Sequence, residues 1–248
     1  MMCSINFWIF SKHKQTRNKH KYRKVVVPGI HHTVMGDLIE YTNSKFVRNN
    51  DGYRYILVVI DCFSRFAHTR PIKQKTAEEV SKQLDDIFGS MSHTPSYFGS
   101  DKGREFSHDN DYVKRRVRSK YGIKMYYMTG KRKGSIVERW NRTFKSTLER
   151  YFTSIKGSDQ IRKRGRWIDV LPQITNNINN RVNRSIQMKP AEVTVADNNR
   201  LRELLYGSQT PMKNCRFNIG DKVRIPQDRN VFDKGYTQSM LLFVRLNL

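Results

Sequence analysis

Between Val34 and Met128 the apolar positions fall into short runs, each closed by turn chemistry. VMGDLIEY, starting near Val34, reads as a first strand. In FVRNNDGYRYILVVIDCFSRFAHTRPI, Asn50, Asp51 and Gly52 supply a turn. Tyr53 to Ile60 is β-branched and aromatic and reads as the second strand, and Phe63 to Ile72 continues past a tight turn as the third. Thr76 then caps a helix through Glu78, Val80, Leu84 and Phe88, whose apolar spacing of three and four marks one helical face, and Gly89 is expected to end it. PSYFGSDKG reads as a short buried strand stopping at Gly99, Ser100 and Asp101. A polar, basic helix to about Lys120 and the strand GIKMYYM follow.

Between Thr129 and Ser135 the chain reads TGKRKGS, a cationic loop with two glycines. Helix is expected from Ile136 to about Ile155, because Ile136, Trp140, Phe144, Leu148 and Phe152 repeat every four residues, the spacing of a core-facing stripe. Three strands followed by helix, strand, helix, strand and helix predict an α/β fold, a five-stranded mixed sheet flanked by helices. KGSDQIRKRGR is a charged linker, and Trp167 to about Arg184 and Pro190 to Leu205 are helical candidates. The tail from Arg216 alternates like small β-strands. The expected partition is a basic arm (1–32), a core (33–156), a helical extension (157–210) and a small, partial β module (211–248). No internal repeat is present, which excludes a solenoid.

Charge adds a partner to this picture. The 248 residues hold 47 Lys and Arg against 22 Asp and Glu, a net +25, and a compact chain this basic calls for a polyanion, with nucleic acid the leading class. An anionic membrane is the rival, but the cations do not alternate with a broad apolar helical face. Cys3, Cys62 and Cys215 are too scattered for a disulfide framework or a thiolate zinc site and fit a reduced, intracellular setting. MMCSINFWIF is too short to span a bilayer and its charges follow it, so no signal peptide is expected. Lys12 to Lys24 carries seven cations and no acid, as a nucleic-acid contact, a nuclear-localisation patch or a solvated tail.

The acids are few enough to place one by one. Asp37 lies inside the first, central strand, where an unpaired carboxylate is costly. Asp101 ends the strand expected beside it, so the two side chains converge at one edge. Glu138 is one turn into the helix after the cationic loop, and the 36 residues between it and Asp101 hold a helix, a strand and a loop that return the chain to that edge. Carboxylates so placed suit two Mg²⁺ or Mn²⁺ ions about 3.5–4 Å apart, which activate an attacking oxygen and stabilise a leaving one. Each residue also has a plainer reading: Asp101 as a turn or cap residue, Glu138 as a surface residue beside Arg139. Asp61, at the turn after the second strand, competes with Asp37 and ordinarily would hydrogen-bond that turn through Ser64. His68, His93 and His108 have no partners at ligand spacing.

MGDLIEY, VVIDCFSRF, GSDKGREF and GSIVERWNRTFK resemble the integrase catalytic core shared by retroviruses, retrotransposons and Polinton or Maverick transposons. NIGDKVRI and VFDKGY resemble the start of the SH3-like module that follows it, so the likeness covers roughly residues 25 to 236. The resemblance implies a ribonuclease-H-like fold closed by a partial SH3-like β-barrel, and it implies Asp37, Asp101 and Glu138 as catalytic metal ligands for two Mg²⁺ (or Mn²⁺) ions. It further implies processing of double-stranded DNA ends by water, strand transfer by the DNA 3′-hydroxyl, a homodimer or homotetramer, and a nuclear setting. Lys131, Arg132 and Lys133 in the loop, and Asn141, Arg142 and Lys145 on the helix, are then candidate DNA contacts, with a solvated basic face as their alternative. The family's zinc-binding domain is not expected: His13, His20, His31 and His32 stand ahead of the core with Cys3 alone. Only 33 residues follow Cys215, and SMLLFVRLNL departs from the family's continuation, so a shortened module is expected. Three functions stay in play: an active integrase, a catalytically silent DNA-binding remnant, and a nuclease acting on RNA–DNA hybrids.

Overall fold

In the computed structural model the apolar runs become one twisted sheet, with strands in the order β3-β2-β1-β4-β5. The structure describes residues 25–128, 134–155, 165–207, 221–223 and 244–245. The elements are β1 (Thr33–Glu40), α1 (Ser44–Asn49), β2 (Tyr55–Asp61), β3 (Ala67–Ile72), α2 (Ala77–Ser90), β4 (Tyr97–Ser100), α3 (Arg104–Tyr121), β5 (Lys124–Tyr127), α4 (Ser135–Ser154), α5 (Leu171–Asn179) and α6 (Asn198–Tyr206). β1, β2 and β3 form an antiparallel meander, while β4 and β5 run parallel to β1. This is the mixed, ribonuclease-H-like sheet expected above.

Alternation along the strands sorts the core into two layers. Val34, Leu57, Val59 and Phe98 pack with α2 and α3 through Val80, Leu84, Phe106 and Val113. Met35, Ile39, Ile56, Val58 and Ile60 pack with α4 and α5 through Trp140, Phe144, Leu148 and Ile174. Because β2 is covered on both faces, its sequence is a continuous apolar run. Gly36 is required where it stands: a Cβ there would lie 2.6 Å from the Phe98 ring.

Several boundaries differ from expectation for local reasons. α1 has six residues, too few to show a period, and is held by Asn43, whose Oδ1 accepts from Lys45 N at 3.0 Å. Gly89 does not stop α2, which continues to Ser90. The candidate from Trp167 to Arg184 shortens to α5, followed by a bridge between Asn183 and Met188. Pro190 to Leu205 breaks into two 3₁₀ turns, Pro190–Glu192 and Val195–Asp197, before α6, because a Thr194–Asp197 capping box restarts the helix. Ahead of β1, Val27 N donates to Tyr206 Oη at 3.0 Å and Ile30 N to Asn198 Oδ1 at 3.2 Å.

Residues Val25–Ser208 form one compact unit. In the other, β6 (Lys222–Val223) pairs antiparallel with β7 (Val244–Arg245). The rest of the expected β module, the basic arm to Lys24, the loop 129–133 and the linker 156–164 lie outside the described residues. Among the described residues, no helix is long and apolar enough to cross a membrane.

Candidate active site

Asp37 has the parity of Met35 and Ile39, so it belongs to the face of β1 that α4 covers. Its Oδ1 accepts from Leu38 N at 2.9 Å and its Oδ2 from Asn141 Nδ2 at 2.7 Å. The β1–β4 ladder ends at the pair Met35 and Gly99. Two residues further in that register, Asp37 stands level with Asp101, where the β4 chain leaves the sheet. Asp101 Oδ1 accepts from Gly103 N at 3.0 Å, which fixes the turn into α3. From the opposite side, α4 carries Glu138 in its first turn, where free backbone N–H groups favour a negative charge. Glu138 and Asn141 are three apart and share a helix face, so the residue that grips Asp37 lies one turn from Glu138.

The electrostatics follow from this packing. The Asp37 carboxyl is pushed up to about 6, chiefly by burial and further by the charges of Asp101, Glu138 and Glu105, with the Leu38 N–H opposing. The charges of Asp101, Glu105 and Glu138, from segments dozens of residues away in sequence, thus act on Asp37. Among the described residues, no three acid, imidazole or thiol groups converge on a single point at ligand distance. The donor set is all carboxylate oxygen, which suits a hard divalent cation such as Mg²⁺ or Mn²⁺.

Asn141, read from the sequence as a DNA contact, instead is 8% exposed with its amide on Asp37. Arg142 and Lys145 are exposed on α4, while Lys131, Arg132 and Lys133 lie outside the described residues. Trp140, Phe144 and Phe152 are buried in the core. Asp61 organises its turn: its Oδ1 accepts from Phe63 N at 2.8 Å and Ser64 N at 2.7 Å, and its Oδ2 from His31 N at 2.8 Å. In the basic run of α3, Arg116 and Lys120 pair with Asp85.

The sequence reading missed Glu105. It is 4% exposed, one helical turn beyond Asp101, with Oε1 3.3 Å from Lys75 Nζ. Its signal was the spacing of four from Asp101 at a helix start, which is common among surface acids and therefore says little without the burial.

Residues 38–132 match the integrase core domain model, a span that contains Asp101 and stops short of Asp37 and Glu138. A transposon-derived protein of Caenorhabditis elegans is 36% identical over 197 residues, 79% of this chain and 63% of that protein. The Gag-Pol polyprotein of feline leukemia virus is 31% identical over 164 residues, 65% of this chain and 8% of the polyprotein. The chain therefore spans less than two thirds of either relative. Among solved structures, a chain of the simian T-cell lymphotropic virus intasome, determined in complex with the PP2A regulatory subunit B56 gamma, superposes with a TM-score of 0.60 at 15% identity. That match covers 94% of this chain and 75% of the other and speaks to fold alone.

Proposed function

We propose that this chain, which carries an integrase catalytic core of the retroviral type, binds double-stranded DNA and catalyses metal-dependent phosphodiester cleavage and strand transfer. Integrase core domains are polynucleotidyl transferases that use divalent metals. The observation that carries the reading is Asp37: a carboxylate inside the sheet, level with Asp101 in the strand register and gripped by Asn141 one turn from Glu138, whose acidity is weakened first by burial and then by the charges of Asp101 and Glu138. Asp37, Asp101 and Glu138 would hold the two ions, Mg²⁺ or Mn²⁺. When bound, such ions activate the attacking oxygen and stabilise the leaving oxygen.

The chain's own residues account for the rest. Asn141 orients Asp37 and, by donating to its Oδ2, favours the ionised carboxylate. Arg142 and Lys145 present cations along the exposed side of α4, beside Glu138, where a DNA backbone would pass, and Lys131, Arg132 and Lys133 extend that cationic line in sequence. In the first reaction a water oxygen forms a bond to phosphorus and the 3′-oxygen leaves. In the second, that 3′-hydroxyl attacks a target phosphodiester and displaces its neighbouring 3′-oxygen. Joining two ends calls for two sites, hence a dimer or tetramer, working on chromosomal DNA in the nucleus.

The test is Mn²⁺-dependent nicking of supercoiled plasmid by the purified chain. Asp37→Asn, Asp101→Asn and Glu138→Gln are each expected to reduce nicking by at least about 10³-fold, on the scale of removing members of a unit that acts together. Asp61→Asn is expected to nick. A folded, DNA-binding wild type as silent as its triad variants would instead establish the non-cutting remnant, and preference for an RNA–DNA hybrid would establish the nuclease.

A further inference from the structure

Beyond the triad, one acidic group near Asp37 is left with half of its bonding unmet. Glu105 is 4% exposed, and its Oε2 has no hydrogen-bond donor among the described residues. Leaving a buried carboxylate oxygen without a partner is costly, so it persists where something else offsets it. Its Oε1 has a partial partner: Lys75 Nζ stands 3.3 Å away, while the same amine is 2.8 Å from Glu40 Oε1. Lys75 is one third exposed and Glu40 half exposed, so the amine has an alternative partner at the surface.

The carboxylate is built into the Asp101 turn. A Cβ at Gly103 would lie 2.5 Å from Glu105 Oε1 and 2.6 Å from Oε2, so the absence of a side chain there makes room for it. The N–H of that same Gly103 donates to Asp101. Glu105 also lies near enough to Asp37 for its charge to bear on that carboxyl. It stands in the first turn of α3, which packs on the sheet face opposite α4.

We propose that Glu105 is a fourth carboxylate of the divalent-cation site, and that Lys75 is the counter-charge it gives up when the cation binds. The inference rests on the reading of Asp37, Asp101 and Glu138 as cation ligands and adds a residue to it. A lysine that competes with the cation gives the two members of the ion pair opposite effects. A purely structural ion pair gives them the same effect.

The experiment is Mn²⁺ binding to the whole chain without DNA, followed by calorimetry and by the electron paramagnetic resonance of free Mn²⁺. Glu105→Gln keeps the side-chain volume and is expected to weaken Mn²⁺ binding by about 10- to 100-fold. Lys75→Met is expected to tighten it severalfold, because a positive charge beside the site is removed. Urea unfolding of each variant reports on the fold, and if Glu105→Gln does not fold, the Lys75→Met arm decides alone. Unchanged binding in Glu105→Gln, or equal or weaker binding in Lys75→Met, overturns the proposal. If Asp37→Asn loses Mn²⁺ while Glu105→Gln retains it, only this inference falls. If the wild type does not bind Mn²⁺, or Asp37→Asn binds as well as wild type, the reading of the triad falls with it.

Discussion

Asp37 and Asp61 stand on the paired strands β1 and β2, three residues of register apart, and the chain provides for them in opposite ways. Asp61 accepts from three backbone N–H groups, those of His31, Phe63 and Ser64. Asp37 has one backbone N–H and the Asn141 amide; burial raises its pKa most, and the charges of three other carboxylates raise it further. Asp61 is buried at 6% exposure and Asp37 half-buried, so depth alone does not tell their roles apart. The number and type of partners does: a carboxylate surrounded by N–H donors serves the architecture, whereas one surrounded by its own kind is suited to a cation.

The comparison is most exposed at Asp61. Asp61→Ala leaves three backbone donors without acceptors and is expected to destabilise the fold by about 2–4 kcal/mol in urea unfolding; a cost below about 1 kcal/mol would remove the contrast. Asp37→Asn is expected to act with the opposite sign. The folded carboxyl titrates near 6, above its ordinary value of 3.8, so the folded state holds the proton more tightly and loses stability as pH rises from about 4 through 6. In chelator at pH 7.5 the variant should therefore be more stable than wild type by on the order of 1–3 kcal/mol, and the gap should close by pH 4.

Smaller effects sharpen the picture. Asn141→Ala removes a donor that favours the ionised form of Asp37, so nicking is expected to fall about tenfold, roughly 1.4 kcal/mol. Its pH profile should move upward, because Asp37 then needs a higher pH to ionise. A uniform loss at every pH would point to packing in place of charge. Arg142→Ala and Lys145→Ala are expected to weaken DNA binding least, each lowering the salt slope of log K by about 0.9 if it neutralises one phosphate.

How much of this was legible beforehand depends on the range of the cause. The sequence by itself determined the strands β1 to β5, the core stripe of α4 and the spacing of Asp101 from Glu138, because these rest on alternation, helical period and turn residues within a few positions of one another. It also singled out Asp37 as an acid inside an apolar strand. The tertiary structure alone decided that Asn141 turns inward onto Asp37, that Glu105 is buried against Gly103, and that the α6 segment meets the residues ahead of β1. Those contacts join segments up to 179 residues apart. Hydrogen-bond partners and desolvation are properties of what packs against a residue, and no local period records which distant segment that will be.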